Sequence, residues 1–286
     1  MVLKITKEEI LAKYVPGDGR KDLSHKLRIG LTSLQKYIKK FDINFTREKR
    51  VSIRKYPIDE NVFKQDTEAA FYIAGFIAAD GAIIMEARDH EMQREPRRLA
   101  INEKDYDHLC LIRDILSPTR KLITIICKDS LRNPEWKDST QYMLNISSET
   151  YVADLKRFDI GMRKSLTYQF PEWIITHPLV NHFMRGYFDG DGSVCLPTNS
   201  RQKMIHIRGT CEFLQTFNLI LSQHCQKVSA TKSTNIDSGI GSLQYNGKNI
   251  CNEIGVFLYN NATLFMKRKH DIFLAAPSYI DHKVRL

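Results

Sequence analysis

Phe71-Tyr-Ile-Ala-Gly-Phe-Ile-Ala-Ala-Asp-Gly81 is the stretch that decides the fold, because the chain carries a second version of it, Phe183-Met-Arg-Gly-Tyr-Phe-Asp-Gly-Asp-Gly192. Each copy is an apolar run of helical length with an interior glycine, Gly75 in the first and Gly186 in the second. Glycine inside a helix costs about 1 kcal/mol relative to alanine, so its repetition needs a reason. The pattern predicts two helices that pack closely against each other along Gly75 and Gly186.

Each copy ends in Asp-Gly, with Asp80 and Asp191 five residues after the interior glycine. Gly81 and Gly192 stand where a helix-terminating glycine belongs. Packed helices would bring the two carboxylates together at the negative ends of their dipoles, where they repel each other. A divalent cation relieves this repulsion, and Mg²⁺ suits carboxylates together with substrate phosphate. The combination predicts metal-dependent phosphodiester hydrolysis.

Both runs resemble the LAGLIDADG motif of homing endonucleases, over residues Ile73–Gly81 and Met184–Gly192. Asp189 fills the earlier acidic position of the motif, whereas Ala78 replaces it in the first copy. The resemblance implies the single-chain, double-motif type and an α+β fold. Two pseudo-symmetric αββαββα repeats would form a saddle of antiparallel sheets.

The resemblance also implies a function. The expected activity is site-specific cleavage of both strands of a long double-stranded DNA target across the minor groove, leaving short 3′ overhangs. Mg²⁺ would be the cofactor, with Mn²⁺ or Ca²⁺ able to replace it for binding. Asp80 and Asp191 would hold the metal together with backbone oxygens of Ala79 and Gly190. The protein is expected to act as a monomer with an internal pseudo-two-fold axis.

The two repeats end in similar basic segments, Met162-Arg-Lys-Ser165 and Met266-Lys-Arg-Lys-His270. In the family a basic residue here reaches each active site, and we select Lys164 and Lys269, with Arg163 and Arg268 next. Such a lysine can polarise the attacking water or stabilise the charge that develops on phosphorus. An ordinary basic surface pair is the alternative for each.

A polar residue often ends the second strand of a repeat in this family, near the hydrolytic water. Glu103 falls at that position in the first repeat, and Gly209 falls there in the second. Glu103 is therefore a candidate catalytic residue, and the glycine predicts that the two sites are not equally equipped.

The N-terminal segment is the most basic part of a chain with net charge +10, since residues 1–66 contain 16 Lys and Arg against 9 Asp and Glu. Residues 1–45 resemble a helix-turn-helix DNA-binding module, with helices over 6–14, 22–27 and 32–41 and capping boxes at Thr6–Glu9 and Thr32–Gln35. Residues 46–66 are interpreted as a basic linker. Candidate DNA contacts are Ser33, Gln35, Lys36, Lys39, Lys40, Arg47 and Arg50. The alternative is a helical cap with solvated lysines.

The repeats are assigned to residues 67–165 and 166–286. Strands are predicted over 82–87, 93–103, 120–128 and 140–147, and again over 193–197, 202–208, 227–231 and 240–245. In this fold an exposed sheet face straddles the DNA major groove, where arginine suits guanine and glutamine suits adenine. Candidate contacts are Arg88, Gln93, Arg94, Arg97, Arg98, Lys104, Asn199, Arg201, Gln202, Lys203, His206 and Arg208.

Composition sets further bounds. No apolar run approaches the roughly 20 residues of a membrane span. The six cysteines form no C-x-x-C pair, which indicates reduced thiols in a cytoplasmic compartment. We expect a prokaryotic or phage-encoded protein, with an organelle as the open alternative. Two other functions remain open: an RNA maturase that assists intron splicing, and a DNA-binding transcription regulator that does not cleave.

Overall fold

The computed structural model describes residues 5–15, 18–43, 56–86, 95–131, 133–195, 203–226, 228, 231–235 and 239–274. The chain divides into two compact units, Met1–Lys55 and Tyr56–Leu286. Several candidate DNA contacts fall outside the described residues, namely Arg47, Arg50, Arg88, Gln93, Arg94, Asn199, Arg201 and Gln202.

The first unit contains three helices, α1 (Lys7–Lys13), α2 (Arg20–Leu27) and α3 (Leu31–Lys40). They enclose a small core around Ile10, Leu23 and Leu34. Three helices were predicted here, and the short turn between α2 and α3 passes through a left-handed residue, Arg28, with φ of 53°.

The first predicted capping box is present, and the second is not. The Thr6 and Glu9 side chains each accept a hydrogen bond from the other residue's backbone amide. In contrast, α3 begins at Leu31 with Gly30 as its N-cap, so Thr32 already lies inside the helix. The glycine has no side chain with which to cap, and the helix begins one residue earlier than predicted.

The second unit has the predicted order αββαββα, twice. The first repeat contains α4 (Glu68–Asp80), β1 (Gly81–Ile84), β2 (Arg98–Glu103), α5 (Tyr106–Leu116), β3 (Ile123–Cys127), β4 (Ser139–Ser147) and α6 (Glu149–Leu155). The second contains α7 (Val180–Asp191), β5 (Gly192–Cys195), β6 (Met204–Thr210), α8 (Cys211–His224), β7 (Thr231–Asn235), β8 (Ile240–Asn246), α9 (Lys248–Tyr259) and α10 (Lys267–Leu274). The strand predicted over 227–231 overlaps β7 only at Thr231, and residues 227, 229 and 230 lie outside the described residues.

Each repeat forms one antiparallel four-stranded sheet, with strand orders β1-β2-β4-β3 and β5-β6-β8-β7. The registers match between the repeats: Gly81 pairs with Ile101, and Gly192 pairs with Ile207. Because the sheets have the same register, Glu103 and Gly209 occupy equivalent positions two residues further along β2 and β6. The predicted α+β fold class is confirmed.

The helices α4 and α7 pack against each other at their glycines. A Cβ atom added to Gly75 would lie 2.0 Å from the carbonyl oxygen of Phe183, and one added to Gly186 would lie 2.0 Å from the carbonyl oxygen of Tyr72. Since real Cβ atoms do not approach backbone atoms so closely, no side chain fits at either position without separating the helices. Both helices are buried along most of their length, which explains why α4 is apolar on every side. In α7 the buried Arg185 and Asp189 instead bond to polar partners.

Residues 56–66 pack within the second unit. The Ser117 hydroxyl donates to the Pro57 carbonyl oxygen at 2.7 Å, and the Tyr151 hydroxyl donates to the Asp59 carbonyl oxygen at 2.7 Å. The prediction of a linker over 46–66 is therefore corrected for its last eleven residues, which belong to a folded unit.

All six cysteines are free thiols. None of the helices in the described part of the chain has the length and apolar composition that a membrane crossing requires.

Candidate active site

Asp80 and Asp191 are the last residues of α4 and α7, so the packing of these helices brings their carboxyls to one place. A Cβ atom on Gly190 would lie 2.4 Å from the Ala79 Cβ and 3.3 Å from the Asp80 Oδ2 atom. Glycine at position 190 thus allows the Asp80 carboxyl to sit against the end of the opposite helix. Both aspartates are exposed to solvent on one side, where a substrate can approach.

Gly81 and Gly192 end the helices for a reason other than the one expected. Their φ angles are −85° and −91°, which any residue can adopt, so no left-handed cap is formed. A Cβ on Gly81 would instead lie 2.6 Å from the Ile77 Cγ2 atom, and one on Gly192 would lie 2.2 Å from the Phe188 ring. Lack of space against the preceding turn of the same helix selects glycine at both positions.

The carboxyls resist ionisation. Loss of surrounding water and the charges of Asp191 and Glu103 together raise the pKa of Asp80 to about 6, against the charges of Lys269 and Lys164. The same loss of water raises the pKa of Asp191, against the opposing charges of Lys164, Lys269 and Arg208. Two nearby carboxylates that hold their protons above the usual range form a site with a shortage of positive charge.

Lys164 and Lys269 occupy equivalent places in the two halves of this site. The Lys164 Nζ donates to the Gly81 carbonyl oxygen at 2.7 Å, and the Lys269 Nζ lies 2.6 Å from the Gly192 carbonyl oxygen. Lys269 is also within hydrogen-bonding distance of the last carbonyl oxygens of α7, those of Phe188, Asp189 and Gly190. A lysine at the C-terminus of a helix is favoured by the helix dipole.

Of the basic residues in the two segments, Lys164 and Lys269 point inward. Lys164 and Lys269 are 7% and 3% exposed, whereas their neighbours Arg163 and Arg268 are exposed to solvent. Burial lowers the pKa of each amine to about 8, and the charges of nearby aspartates act in the opposite direction. The two amines thus face the carboxyls from opposite halves of the molecule, while the arginines do not.

Glu103 lies at the end of β2 and is buried. Its Oε1 atom accepts hydrogen bonds from the backbone amides of Lys104 and Asp105 at 2.6 and 3.0 Å. Its charge acts on Asp80 and on Lys269, so it lies near residues from both halves of the site. The equivalent Gly209 offers no side chain, but the hydroxyl of Tyr187 lies beside it.

Tyr187 was missed in the sequence. Its hydroxyl donates to the Arg208 carbonyl oxygen at 3.1 Å and is near enough to Asp191 to lower the pKa of that carboxyl, against the larger effect of burial. The signal was a difference between the two motif copies: Tyr187 stands where the first copy has Phe76, and Gly209 stands where the first repeat has Glu103.

Asp189 was noted only as a motif position, and the structure gives it a specific set of partners. Its carboxylate accepts hydrogen bonds from the hydroxyls of Tyr72 and Tyr259, both at 2.7 Å, and from the Met266 amide at 2.8 Å. It therefore joins α7 to the segment that leads into α10 and its Lys269. Ala78, at the equivalent position of α4, cannot form such bonds.

The donor set at the helix ends fits a hard divalent cation. Among the described residues no cluster of three or more His, Cys, Asp or Glu side chains could hold a metal ion. Mg²⁺ does not need one, because it keeps several waters and is bound through one or two carboxylates plus substrate phosphates. Asp80 and Asp191 supply two carboxylates that a cation would help to ionise. The Gly190 carbonyl oxygen, one of the two backbone ligands predicted for the metal, lies 3.2 Å from the Lys269 amine. Metal binding by the carbonyl oxygens of Ala79 and Gly190 remains a prediction.

The candidate DNA contacts have different surroundings. Those on α3, Ser33, Gln35, Lys36, Lys39 and Lys40, are all exposed, as are Lys104 and Arg208 on the second unit. Arg97, Arg98 and His206 are half-buried, and Arg98 forms an ion pair with Glu86. DNA contact by these residues remains a prediction.

The prediction that Lys203 contacts DNA is wrong. It is 3% exposed, and its Nζ atom donates to the Phe273 carbonyl oxygen at 2.5 Å and lies 3.3 Å from the Asn252 side-chain oxygen. It ties β6 to α9 and α10 inside the fold, so its amine is not available to a DNA phosphate.

Comparisons with known proteins gave no matching family model and no matching curated protein. Among solved structures, the homing endonuclease I-WcaI bound to its DNA recognition sequence is similar, with a TM-score of 0.51, 13% identity, and coverage of 76% of this chain and 92% of that chain. I-SmaMI bound to an uncleaved DNA target in the presence of calcium ions has a TM-score of 0.41 and 10% identity, covering 70% and 87%. The LAGLIDADG homing endonuclease I-GzeII in complex with its DNA target has a TM-score of 0.42 and 11% identity, covering 71% and 86%. The chain has the fold of the LAGLIDADG homing endonucleases, as the two motif copies predicted.

Proposed function

We propose that this protein is a monomeric, site-specific DNA endonuclease that hydrolyses both strands of a long duplex target with a divalent metal, Mg²⁺, and leaves short 3′ overhangs. One observation carries the proposal. Asp80 and Asp191 meet at the ends of two packed helices, and each half of the site adds a buried lysine on the glycine carbonyl that follows the aspartate.

Each residue has a role that follows from its position. Asp80 and Asp191 would hold the metal, which when bound supplies Lewis acidity and a more acidic water. Lys164 and Lys269 would stabilise the negative charge that develops on the phosphate oxygens as water attacks phosphorus and the bond between phosphorus and O3′ breaks. Glu103 would orient water near Asp80, which its buried and doubly hydrogen-bonded carboxylate is well placed to do.

Binding would rest on the basic surfaces of both units. The net charge of +10 and the exposed α3 residues Lys36, Lys39 and Lys40 favour a polyanion. The second unit would add Lys104 and Arg208 near the site. A helix-turn-helix role for the first unit is part of this proposal.

Selection of cut duplexes from a randomised library with Mg²⁺ tests the proposal, because the sequences of the cut products themselves define the target. We expect the parent to release a defined cleaved sequence, and Asp80→Asn and Asp191→Asn to bind it without double-strand cleavage. Full cleavage by either variant would remove that aspartate from the metal site.

The alternatives differ in what the same protein would do. A non-cleaving regulator would bind duplex DNA and release no product, although the presence of both aspartates favours cleavage. An RNA maturase would bind structured intron RNA and raise its splicing rate. Parallel binding and cleavage assays on selected DNA and on intron RNA separate the three.

A further inference from the structure

The two halves of the active site differ at a pair of equivalent positions. Gly75 and Gly186 align the motif helices, which makes Phe76 equivalent to Tyr187. The matching strand registers make Glu103 equivalent to Gly209. The first half thus combines a phenylalanine with a strand-end carboxylate, and the second combines a tyrosine with a glycine.

The tyrosine and the glycine fit each other sterically. A Cβ atom on Gly209 would lie 2.6 Å from the Tyr187 Oη atom. The hydroxyl therefore occupies the space into which a side chain at position 209 would extend. Leu214 closes the other side of this space, at 3.5 Å from the same Cβ position.

The hydroxyl is also placed at the metal-binding carboxylate. Tyr187 is 4% exposed and its hydroxyl donates to the Arg208 carbonyl oxygen at 3.1 Å. The hydroxyl also lies near enough to Asp191 to lower the pKa of that carboxyl, against the larger effect of its burial. In the first half, Phe76 has no hydroxyl and packs against the ring of His108, with the centroids 4.7 Å apart. The polar group beside Asp80 comes there from Glu103 instead.

We propose that the Tyr187 hydroxyl replaces the strand-end carboxylate in the second half of the site, as a positioning residue that orients Asp191 and the water next to it. The proposal rests on the proposed endonuclease function. The two groups are not chemically equivalent, because a phenol is a neutral hydrogen-bond donor and Glu103 is an anionic acceptor. The two DNA strands are therefore cut by half-sites with different chemistry, and loss of one group should affect one strand.

The steric fit between the Tyr187 hydroxyl and Gly209 is tested by protein stability, with no need for DNA, metal or an activity assay. Gly209→Ala, Tyr187→Phe and the double variant are compared by thermal unfolding in EDTA. Alanine in a strand is normally preferred to glycine, so any loss comes from the clash. We expect Gly209→Ala to lower the unfolding temperature by several degrees, and the same change to have little effect in the Tyr187→Phe background. Equal effects in both backgrounds would overturn the placement.

The functional part is tested by following the two strands of the selected target with separate labels. We expect Tyr187→Phe to slow the cleavage of one strand about tenfold or more, to leave the other within twofold, and so to accumulate a nicked duplex. Tyr187→Phe/Gly209→Glu, which recreates the pair of the first half, should restore that strand. Tyr245→Phe is the matched control, because this buried hydroxyl bonds to Asn218 away from the site.

Equal slowing of both strands by Tyr187→Phe, or slowing of neither, would overturn the positioning role. If the parent protein cleaves no duplex, the endonuclease function is wrong, and the positioning role that rests on it is lost as well. The unfolding comparison would in that case still decide whether the hydroxyl occupies the space beside Gly209, so the two failures are distinguishable.

Discussion

Asp80 is a residue whose charge opposes folding. Its pKa in the folded protein is about 6, above the ordinary value of 3.8, so the penalty is fully present above pH 6 and disappears as the pH falls towards 4. We expect metal-free Asp80→Asn to be more stable than the parent at pH 8 and to have no such advantage at pH 4. Since the carboxyl is open to solvent, the gain should be below about 1 kcal/mol.

Urea unfolding at the two pH values measures this difference. Glu135→Gln, which neutralises an exposed carboxyl in a turn, is the control and should show no comparable gain. An Asp80→Asn variant that is less stable than the parent at pH 8 would contradict the view of a site that lacks positive charge.

The basic segments provide matched pairs of neighbours for a second prediction. Lys164→Gln and Lys269→Gln should each lower the rate of cleavage about 10²-fold, the usual cost of removing one donor to developing charge. Arg163→Gln and Arg268→Gln, adjacent in sequence but exposed, should change the rate much less. Single-turnover cleavage at saturating protein concentration separates these effects on the rate from effects on DNA binding. If the arginine variants lose more activity than the lysine variants, the arginines and not the lysines act in the site.

At the scale of elements, the α4–α7 contact predicts the response to a side chain at Gly186. The nearest atom to an added Cβ is a backbone oxygen of α4 at 2.0 Å, which cannot move aside as a side chain can. Gly186→Val should therefore lose at least about 1–3 kcal/mol of stability together with cleavage. Gly161→Ala, where an added Cβ meets nothing within 4 Å, is the control.

Asp191→Asn completes that experiment, because it changes the end of the same helix without changing the contact. It should keep or raise the stability of the metal-free protein while cleavage is lost. Thermal unfolding of the three variants decides the matter: a stable Gly186→Val beside a much weakened Asp191→Asn would contradict the packing.

At the scale of the whole molecule, the boundary between the two units defines where the protein can be truncated. Removal of residues 1–55 leaves Pro57 and Asp59 to pack in the second unit, so this truncation should fold. We expect weaker DNA binding and a shallower dependence of affinity on salt, because fewer phosphate contacts release fewer counterions. Fluorescence anisotropy across a salt series measures both quantities. An unchanged slope would make the first unit a structural cap.

The sequence by itself determined the fold, and it predicted that Asp80 and Asp191 lie together at the ends of the two motif helices. The two copies of the motif, with Gly75, Gly186 and the two aspartates, are local patterns whose spacing alone predicts paired helices. The order of helices and strands follows equally from local periodicity. The sequence also predicted an unequal pair of half-sites from Gly209.

The tertiary structure decided where individual side chains point and what surrounds them. Lys203 looked like a surface cation, yet just before β6 its side chain turns into the fold, where its amine donates to the Phe273 carbonyl oxygen. Tyr187 looked like a core aromatic until the packing placed its hydroxyl in the space of the missing side chain at Gly209. Periodicity reports which face of an element is apolar. The atoms that meet across two elements depend on register and distance, which only the folded chain specifies.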